Sequence, residues 1–281
     1  GVKITGTQAH SWIQSFDSEL TAFRKYAEAF PGNVILLVDT YDTLGSGLPN
    51  AIKVGHELRA RGEELKAIRI DSGDLAYLSK KAREMLDEAR LQNTKILVSN
   101  QLDEYVIRSL LEQGAPLDGF GVGTELITGK NSAALDGVYK LAEINQQPTL
   151  KLSDTFSKIS VPGRKKVLRY YDDTGAFFAD CIALEDEQEV DHMHHPYEKD
   201  VKLSLKGLKS EPLHQTFMKN GKIFNHEKNI LTISDYRKKR LEHLPEEHQR
   251  FEMPHIYKVG ISDNLNNMRN QLVKTLRKQV P

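Results

Sequence analysis

The chain has 281 residues, and its 39 basic and 39 acidic side chains cancel to a formal charge of zero. That length suits one large domain or a domain with an appendage, and the balance argues against a dedicated nucleic-acid or membrane-surface protein. A single cysteine, Cys181, excludes an intrachain disulfide framework and suits a reducing compartment, so a cytoplasmic location is expected.

Apolar runs such as residues 34–38 fall far short of the ~18 residues of a membrane span, and no signal-peptide pattern is visible. The opening Gly1-Val2-Lys3-Ile4-Thr5-Gly6 reads as a strand entering a functional loop. We therefore expect the C-terminal part of a longer protein, although loss of a short leader would look the same.

Residues 33–39 are apolar on both faces, the mark of a strand buried in a parallel sheet. A Gly45-Ser46-Gly47 turn follows, then a helix over 49–61, with Pro49 in its first turn and Gly62 at its end. The second unit is a strand over 65–70, the polar Asp71-Ser72-Gly73-Asp74, and a helix reaching residue 90. Leu78, Ala82, Met85, Leu86 and Ala89 give that helix one apolar face. A third unit runs from a strand over 94–100 to a helix from Asp103 to Gly114. A fourth strand over 117–123 closes on Thr124. Strand, polar end, helix, strand is the pattern of a parallel sheet or barrel. Such folds place chemistry at the C-terminal strand ends, which here carry Asp39, Asp71, Asn100 and Gly123.

After about residue 145 the character changes, so the expected domains are 1–145, carrying the strand ends, and 146–281, strands and helices packing on it. Residues 167–171 and 176–184 read as strands joined by the turn Asp172-Asp173-Thr174-Gly175. Residues 185–200 read as a polar surface loop. Residues 201–233 read as short extended pieces around Asn220-Gly221. Ser234 is expected to cap a helix over 235–244, and residues 263–278 to form a basic terminal helix.

Within Ala67-Ile68-Arg69-Ile70-Asp71, alternation puts Arg69 and Asp71 on one face. A cation in an apolar strand needs an anion. Asp71 alone can supply it, or Arg69 meets an anionic ligand while Asp71 takes hydroxyls. His10, at a presumed strand end, suits a catalytic base, a phospho-acceptor or a metal ligand, or else a surface role. Asp39 and Asp71 could hold Mg²⁺, take ribose hydroxyls or serve as acid and base. Helix capping, their bland alternative, suits Asp42 and Asp74 better. The glycines of Gly119-Phe120-Gly121-Val122-Gly123 either admit an anion to backbone N–H groups or let backbones pack closely. His192, His194 and His195 suggest zinc, but their polar setting without cysteine favours a solvated loop. The basic runs at 164–166 and 237–240 read as solvated faces, the first also able to reach a ligand phosphate. Cys181 reads as inert core and His56 as structural.

Gly6-Thr7-Gln8-Ala9-His10-Ser11, Val38-Asp39-Thr40-Tyr41-Asp42, Arg69-Ile70-Asp71-Ser72-Gly73-Asp74-Leu75 and Gly121-Val122-Gly123-Thr124 together resemble the nicotinate phosphoribosyltransferase family. The likeness continues through Gly137-Val138-Tyr139-Lys140-Leu141, Pro162-Gly163-Arg164-Lys165 and Pro254-His255-Ile256-Tyr257-Lys258. It implies an irregular α/β barrel of the type II phosphoribosyltransferase kind, incomplete in this chain, with a C-terminal mixed α+β extension, and commonly a homodimer. It implies that nicotinate and 5-phosphoribosyl 1-diphosphate give nicotinate mononucleotide and diphosphate on the way to NAD. ATP hydrolysis would be coupled through a phosphohistidine, and Mg²⁺ required.

By the same resemblance His10 takes the phosphoryl group, Arg69 lies at the pyridine pocket, and Asp39 and Asp71 lie around ribose and diphosphate. Ser99 and Asn100 fall at a ribose-contacting strand end, and Gly123 and Thr124 at the cradle for the 5′-phosphate. The family places a pyridine-stacking aromatic and further arginines in an N-terminal domain and early barrel strands that have no counterpart here. The 281 residues alone are therefore expected to be inactive. Rivals are a nicotinamide or quinolinate phosphoribosyltransferase of the same fold, a barrel lyase or isomerase acting on sugar phosphates, and a non-catalytic binding relic. Substrate competition, diphosphate release and turnover separate them in turn.

Overall fold

The structure, a computed structural model, describes residues 6–198, 200–224 and 229–279. The expected entry strand over residues 1–5 lies outside them. The chain divides into two compact units, one over residues 3–136 and the other from residue 137 onward.

The first unit is built on a parallel sheet in the order β1 (Val34–Leu37), β2 (Leu65–Ile70), β3 (Lys95–Ser99) and β4 (Gly119–Gly121). Every residue of β1 is buried, as a strand apolar on both faces requires. The helices are α1 (His10–Gln14), α2 (Glu19–Ala29), α3 (Leu48–Ala60), α4 (Leu75–Glu88), α5 (Glu104–Glu112) and α6 (Thr124–Thr128). Pro49 stands in the first turn of α3, and Gly62 follows that helix with φ +79°.

Asp74 accepts the Tyr77 N–H and Asp103 the Val106 N–H, which caps α4 and α5. Such caps contribute about 0.5–2 kcal/mol each. Asp42 caps a π-helical turn, Thr43–Gly47, which runs directly into α3. Leu36, Leu37, Leu48, Leu58, Ile68, Ile70, Leu86 and Ile96 are wholly buried and form one core with Phe23 of α2. The helix α2, not among the elements expected from the sequence, is capped by Ser18 and buries Ala22, Phe23, Tyr26 and Ala27.

The second unit carries a mixed sheet in the order β10-β9-β14-β8-β7-β11. Its strands are β7 (Lys165–Tyr171), β8 (Phe177–Leu184), β9 (His192–His194), β10 (Lys202–Ser204), β11 (Ser210–Pro212) and β14 (Val259–Ser262). Two small hairpins accompany it, β5 (Glu143–Ile144) with β6 (Gln147–Pro148), and β12 (Met218–Lys219) with β13 (Lys222–Ile223) around Asn220-Gly221. The helices are α7 (Ile230–Glu242), α8 (Glu246–Gln249) and α9 (Asp263–Gln279). In β8, Phe177, Ala179, Cys181 and Ala183 point inward in strict alternation. Burial pushes the Cys181 thiol up to about 12, so it is inert core.

Several expectations for this unit change. Residues 185–200 are not all surface loop. Met193, between two histidines, packs inward and makes β9 an inner strand, while Val190 and Glu187 are buried beside it. Ser234 does not cap a helix. Asn229 does, accepting the Leu231 and Thr232 N–H groups, and the apolar Ile230-Leu231 pair that read as extended chain is the first turn of α7. Val259–Ser262, short and interrupted by Gly260, lies inside the sheet parallel to β8.

The basic runs are also only partly solvated. Burial pushes the Lys165 ammonium below its ordinary value, and it donates to the carbonyls of Val161 and Pro162 at 3.0 and 3.3 Å and to that of Gly163. Arg240 bonds Glu211 and the Tyr171 hydroxyl, and its guanidinium lies 4.6 Å from the Phe177 ring centre. Arg164 stays largely in solvent, with weak pairs to Glu143 and Glu185 at 3.9 and 3.6 Å.

Candidate active site

Register brings the chemistry together. Leu37 lies opposite Arg69, Ile70 opposite Val98, and Ser99 opposite Gly121. Carried to the strand ends, that register puts Asp39 and Asp71, which follow β1 and β2, in a row with Ser99 and Gly121, the last residues of β3 and β4. The apolar residues before them anchor the strands in the core, so the polar ends are held by burial they do not share.

Arg69 and Asp71, on one face of the strand, form an ion pair with Nη2 to Oδ2 at 2.9 Å. The Ser99 hydroxyl links the same two residues from β3. It accepts from Arg69 Nε at 2.8 Å and donates to Asp71 Oδ1 at 2.5 Å. Burial alone would raise the Asp71 carboxyl, but the bonds from Ser99 and Arg69, with charge from Arg69 and His10, hold it below its ordinary value. The bland partner considered for Arg69 is thus in place. It engages two of the guanidinium's five N–H donors, Nε and one on Nη2, and leaves three for a ligand.

Asp39 has a structural task other than helix capping. Its Oδ2 accepts the Asp71 backbone N–H at 2.8 Å and the Ser72 hydroxyl at 2.6 Å, tying the end of β1 to the turn after β2. Its Oδ1 is buried with no hydrogen-bond partner. An acceptor in that state is costly unless something meets it.

His10 opens α1, and its ring spans the same strand ends. Nδ1 lies 3.0 Å from the Thr40 hydroxyl, and Nε2 lies 3.6 Å from Asp71 Oδ2. Thr40 and Ser72, which the sequence did not single out, join this cluster through His10 and Asp39. The only signal for them was their place next to aspartates at strand ends.

Asn100, Gly123 and Thr124 lie outside this bonded cluster. Asn100 follows Ser99 with φ +88° and Gln101 with φ +45°, two consecutive left-handed residues at a strand end. Such a conformation is uncommon away from glycine and gathers at functional sites. Gly123 precedes α6, and a Cβ there would meet nothing within 4 Å. A Cβ on Gly121 would lie 3.1 Å from Ser99 Cβ, and one on Gly119 would lie 2.9 Å from Leu97 Cδ2. Two of the three alternating glycines therefore answer to packing, and Gly123 to open space.

Among the described residues, no group of three or more His, Cys, Asp or Glu side chains is arranged to hold a metal ion. His192 and His194 are not in a solvated loop. They sit on β9 and face Asp263, at 3.6 and 2.5 Å, and Lys202 joins the same carboxylate at 3.2 Å. Among the described residues, no helix is long and apolar enough to cross a membrane.

Residues 1–200 match the nicotinate phosphoribosyltransferase (NAPRTase) family, and residues 164–269 match the nicotinate phosphoribosyltransferase C-terminal domain. The chain is 39% identical to nicotinate phosphoribosyltransferase of Bacillus subtilis over 99% of its own length and 58% of that protein. It is 35% identical to nicotinate phosphoribosyltransferase of Caenorhabditis elegans over 89% of its length and 47% of that protein. The chain thus spans about half the length of the curated relatives it matches. The crystal structure of human nicotinic acid phosphoribosyltransferase superposes with a TM-score of 0.81 at 25% identity, over 97% of this chain and 62% of the human one.

Proposed function

This chain belongs to the nicotinate phosphoribosyltransferase family, and from that premise we propose that its protein joins nicotinate to 5-phosphoribosyl 1-diphosphate. The products are nicotinate mononucleotide and diphosphate, and the reaction feeds NAD synthesis. The observation that carries this reading is the convergence of His10, Arg69, Asp71 and Ser99 on one set of strand ends.

Departure of diphosphate from C1′ leaves positive charge on the ribose ring and negative charge on the leaving group. Asp39 and Asp71 stand where carboxylates would stabilise the ring side, and Asp39 Oδ1 has its acceptor capacity unused. Arg69 directs its remaining N–H groups to the nicotinate carboxylate, which turns the pyridine nitrogen toward C1′. Asn100 takes a ribose hydroxyl, and Gly123 and Thr124 cradle the 5′-phosphate with backbone N–H groups.

ATP is the proposed co-substrate, with His10 as phosphoryl acceptor. Thr40 occupies Nδ1, so Nε2 is the nitrogen facing the site. Its lone pair forms the N–P bond to the γ-phosphorus as the P–O bond to ADP breaks. Mg²⁺ fits the donor set, since Asp39 and Asp71 are hard oxygen ligands and this ion is commonly held by one or two carboxylates plus substrate phosphates. When bound it would neutralise charge on the leaving diphosphate. A cytoplasmic homodimer completes the proposal.

The deciding experiment is phosphoryl transfer from γ-³²P-labelled ATP to the complete protein. Label is expected on the wild type and absent from His10→Ala. Undiminished labelling of that variant rejects the acceptor assignment.

A further inference from the structure

The second unit holds a cavity of about 800 Å³ against α9, remote in sequence from every strand end described above. Its volume lies in the range of small-molecule sites. At its wall stands Arg269, only 4% exposed. The guanidinium lies 4.9 Å from the Phe156 ring centre and donates from Nη1 to the Pro196 carbonyl at 2.8 Å and from Nη2 to Asn266 Oδ1 at 3.0 Å. Both partners are neutral. Its Nε is buried without any partner, and no carboxylate pairs with it among the described residues. Charged side chains this buried are almost always paired. Burial accordingly holds its pKa below the ordinary value.

Two more cations of the same helix, Lys274 and Arg277, line the cavity, and neither has an ion pair among the described residues. The acidic residue of the lining is Glu198, which lies 3.8 Å from His195. Three cations against one carboxylate leave the wall with a formal excess of two positive charges, counting histidines as neutral. Helix-dipole complementarity accounts for basic residues in the last turn of α9. It does not account for a buried arginine near the middle of the helix.

We propose that this cavity binds a small phosphorylated anion carrying at least two negative charges. Lys274 and Arg277 contact the phosphate groups, and Arg269 supplies fixed positive charge behind them. None of the lining residues belongs to the strand-end cluster, and the proposal does not depend on the catalytic reading.

The probe is inorganic tripolyphosphate, titrated calorimetrically into the complete protein at fixed ionic strength. The catalytic strand ends also bind phosphate anions, so the readout is the number of sites. Wild type is expected to show two. Lys274→Gln/Arg277→Gln should lose one, with affinity there falling at least tenfold. Arg69→Ala should keep the cavity isotherm. Lys239→Gln/Lys278→Gln removes equal charge outside the cavity and should keep both sites. The proposal is overturned by isotherms of Lys274→Gln/Arg277→Gln that match wild type, or by equal weakening in the Lys239→Gln/Lys278→Gln control. Arg269→Met is a secondary variant, because it also alters buried packing.

Discussion

The Asp39 carboxylate reaches from the end of β1 to the neighbouring strand and accepts the backbone N–H of Asp71 at 2.8 Å. One oxygen therefore holds the turn that presents Asp71, and the other, Oδ1, is buried and unused. Asparagine at this position keeps an acceptor for the Asp71 N–H and loses the charge. Alanine removes both. We expect Asp39→Ala to lose about 1–3 kcal/mol, since it leaves the part-buried Asp71 N–H without its acceptor, and Asp39→Asn to lose clearly less in urea titration. Both variants should lose turnover. A fully active Asp39→Asn would reduce Asp39 to a structural brace.

Arg69 offers a sharper division between substrates. Asp71 and Ser99 engage two of its N–H donors and leave three for a ligand. A charge-assisted bond contributes about 1.5–3 kcal/mol. Arg69→Ala should therefore raise the nicotinate KM by roughly 10- to 150-fold and that of the phosphoribosyl donor much less. Equal effects on the two would sink the pocket assignment, and nicotinamide, which lacks the charge, should compete poorly with nicotinate in the wild type.

Ser99 sets the titration of Asp71. The folded-state pKa of Asp71 lies below its ordinary value, so the bonds that lower it stabilise the fold at neutral pH, and that stability disappears as pH falls through the folded pKa. Ser99→Ala removes a bond to a charged group and should cost about 1–2 kcal/mol at pH 7. The gap between variant and wild type should hold down to about pH 5 and close as Asp71 protonates below the usual carboxylate range near about 3.9. Denaturant titrations at a series of pH values read this directly. A gap that widens in acid contradicts the sign of the shift.

Parallel strands ending in polar residues were legible from the sequence because both signals are local. Alternation placed Arg69 with Asp71, and the length of each apolar run put Asp39, Asp71 and Ser99 at strand ends. The links between strands were not legible. Nothing local says that Ser99 bridges Arg69 and Asp71, or that Thr40 positions His10, since those pairs are separated by about 30 residues and depend on register. The second unit was less legible for the same reason. Val259–Ser262 becomes a strand only because β8 and β9 flank it, and Met193 is buried only once β9 joins that sheet. Asn229 lost its capping signal to the apolar pair that follows it.

Two glycines flank α3, and one of them tests the geometry at the end of β1. Gly62 has φ +79° with nothing near its missing Cβ, so Gly62→Ala meets only backbone strain, about 1–2 kcal/mol. Gly47 is the opposite case. Its φ and ψ of −57° and −55° suit any residue. A Cβ there, however, would lie 1.7 Å from the Val38 carbonyl oxygen, which backbone on both sides cannot yield. Gly47→Ala must therefore displace the end of β1 or the π-helical turn, with a cost above about 4 kcal/mol, in the range of severe core disruptions. If the chain yields at Val38, Asp39 moves with it and the Asp71 turn loses its acceptor. A Gly47→Ala protein that still folds should then show reduced kcat as well as a lowered Tm, while Gly62→Ala lowers Tm modestly and leaves kcat unchanged. Wild-type stability and turnover in Gly47→Ala would mean that Val38 and Gly47 are not in contact.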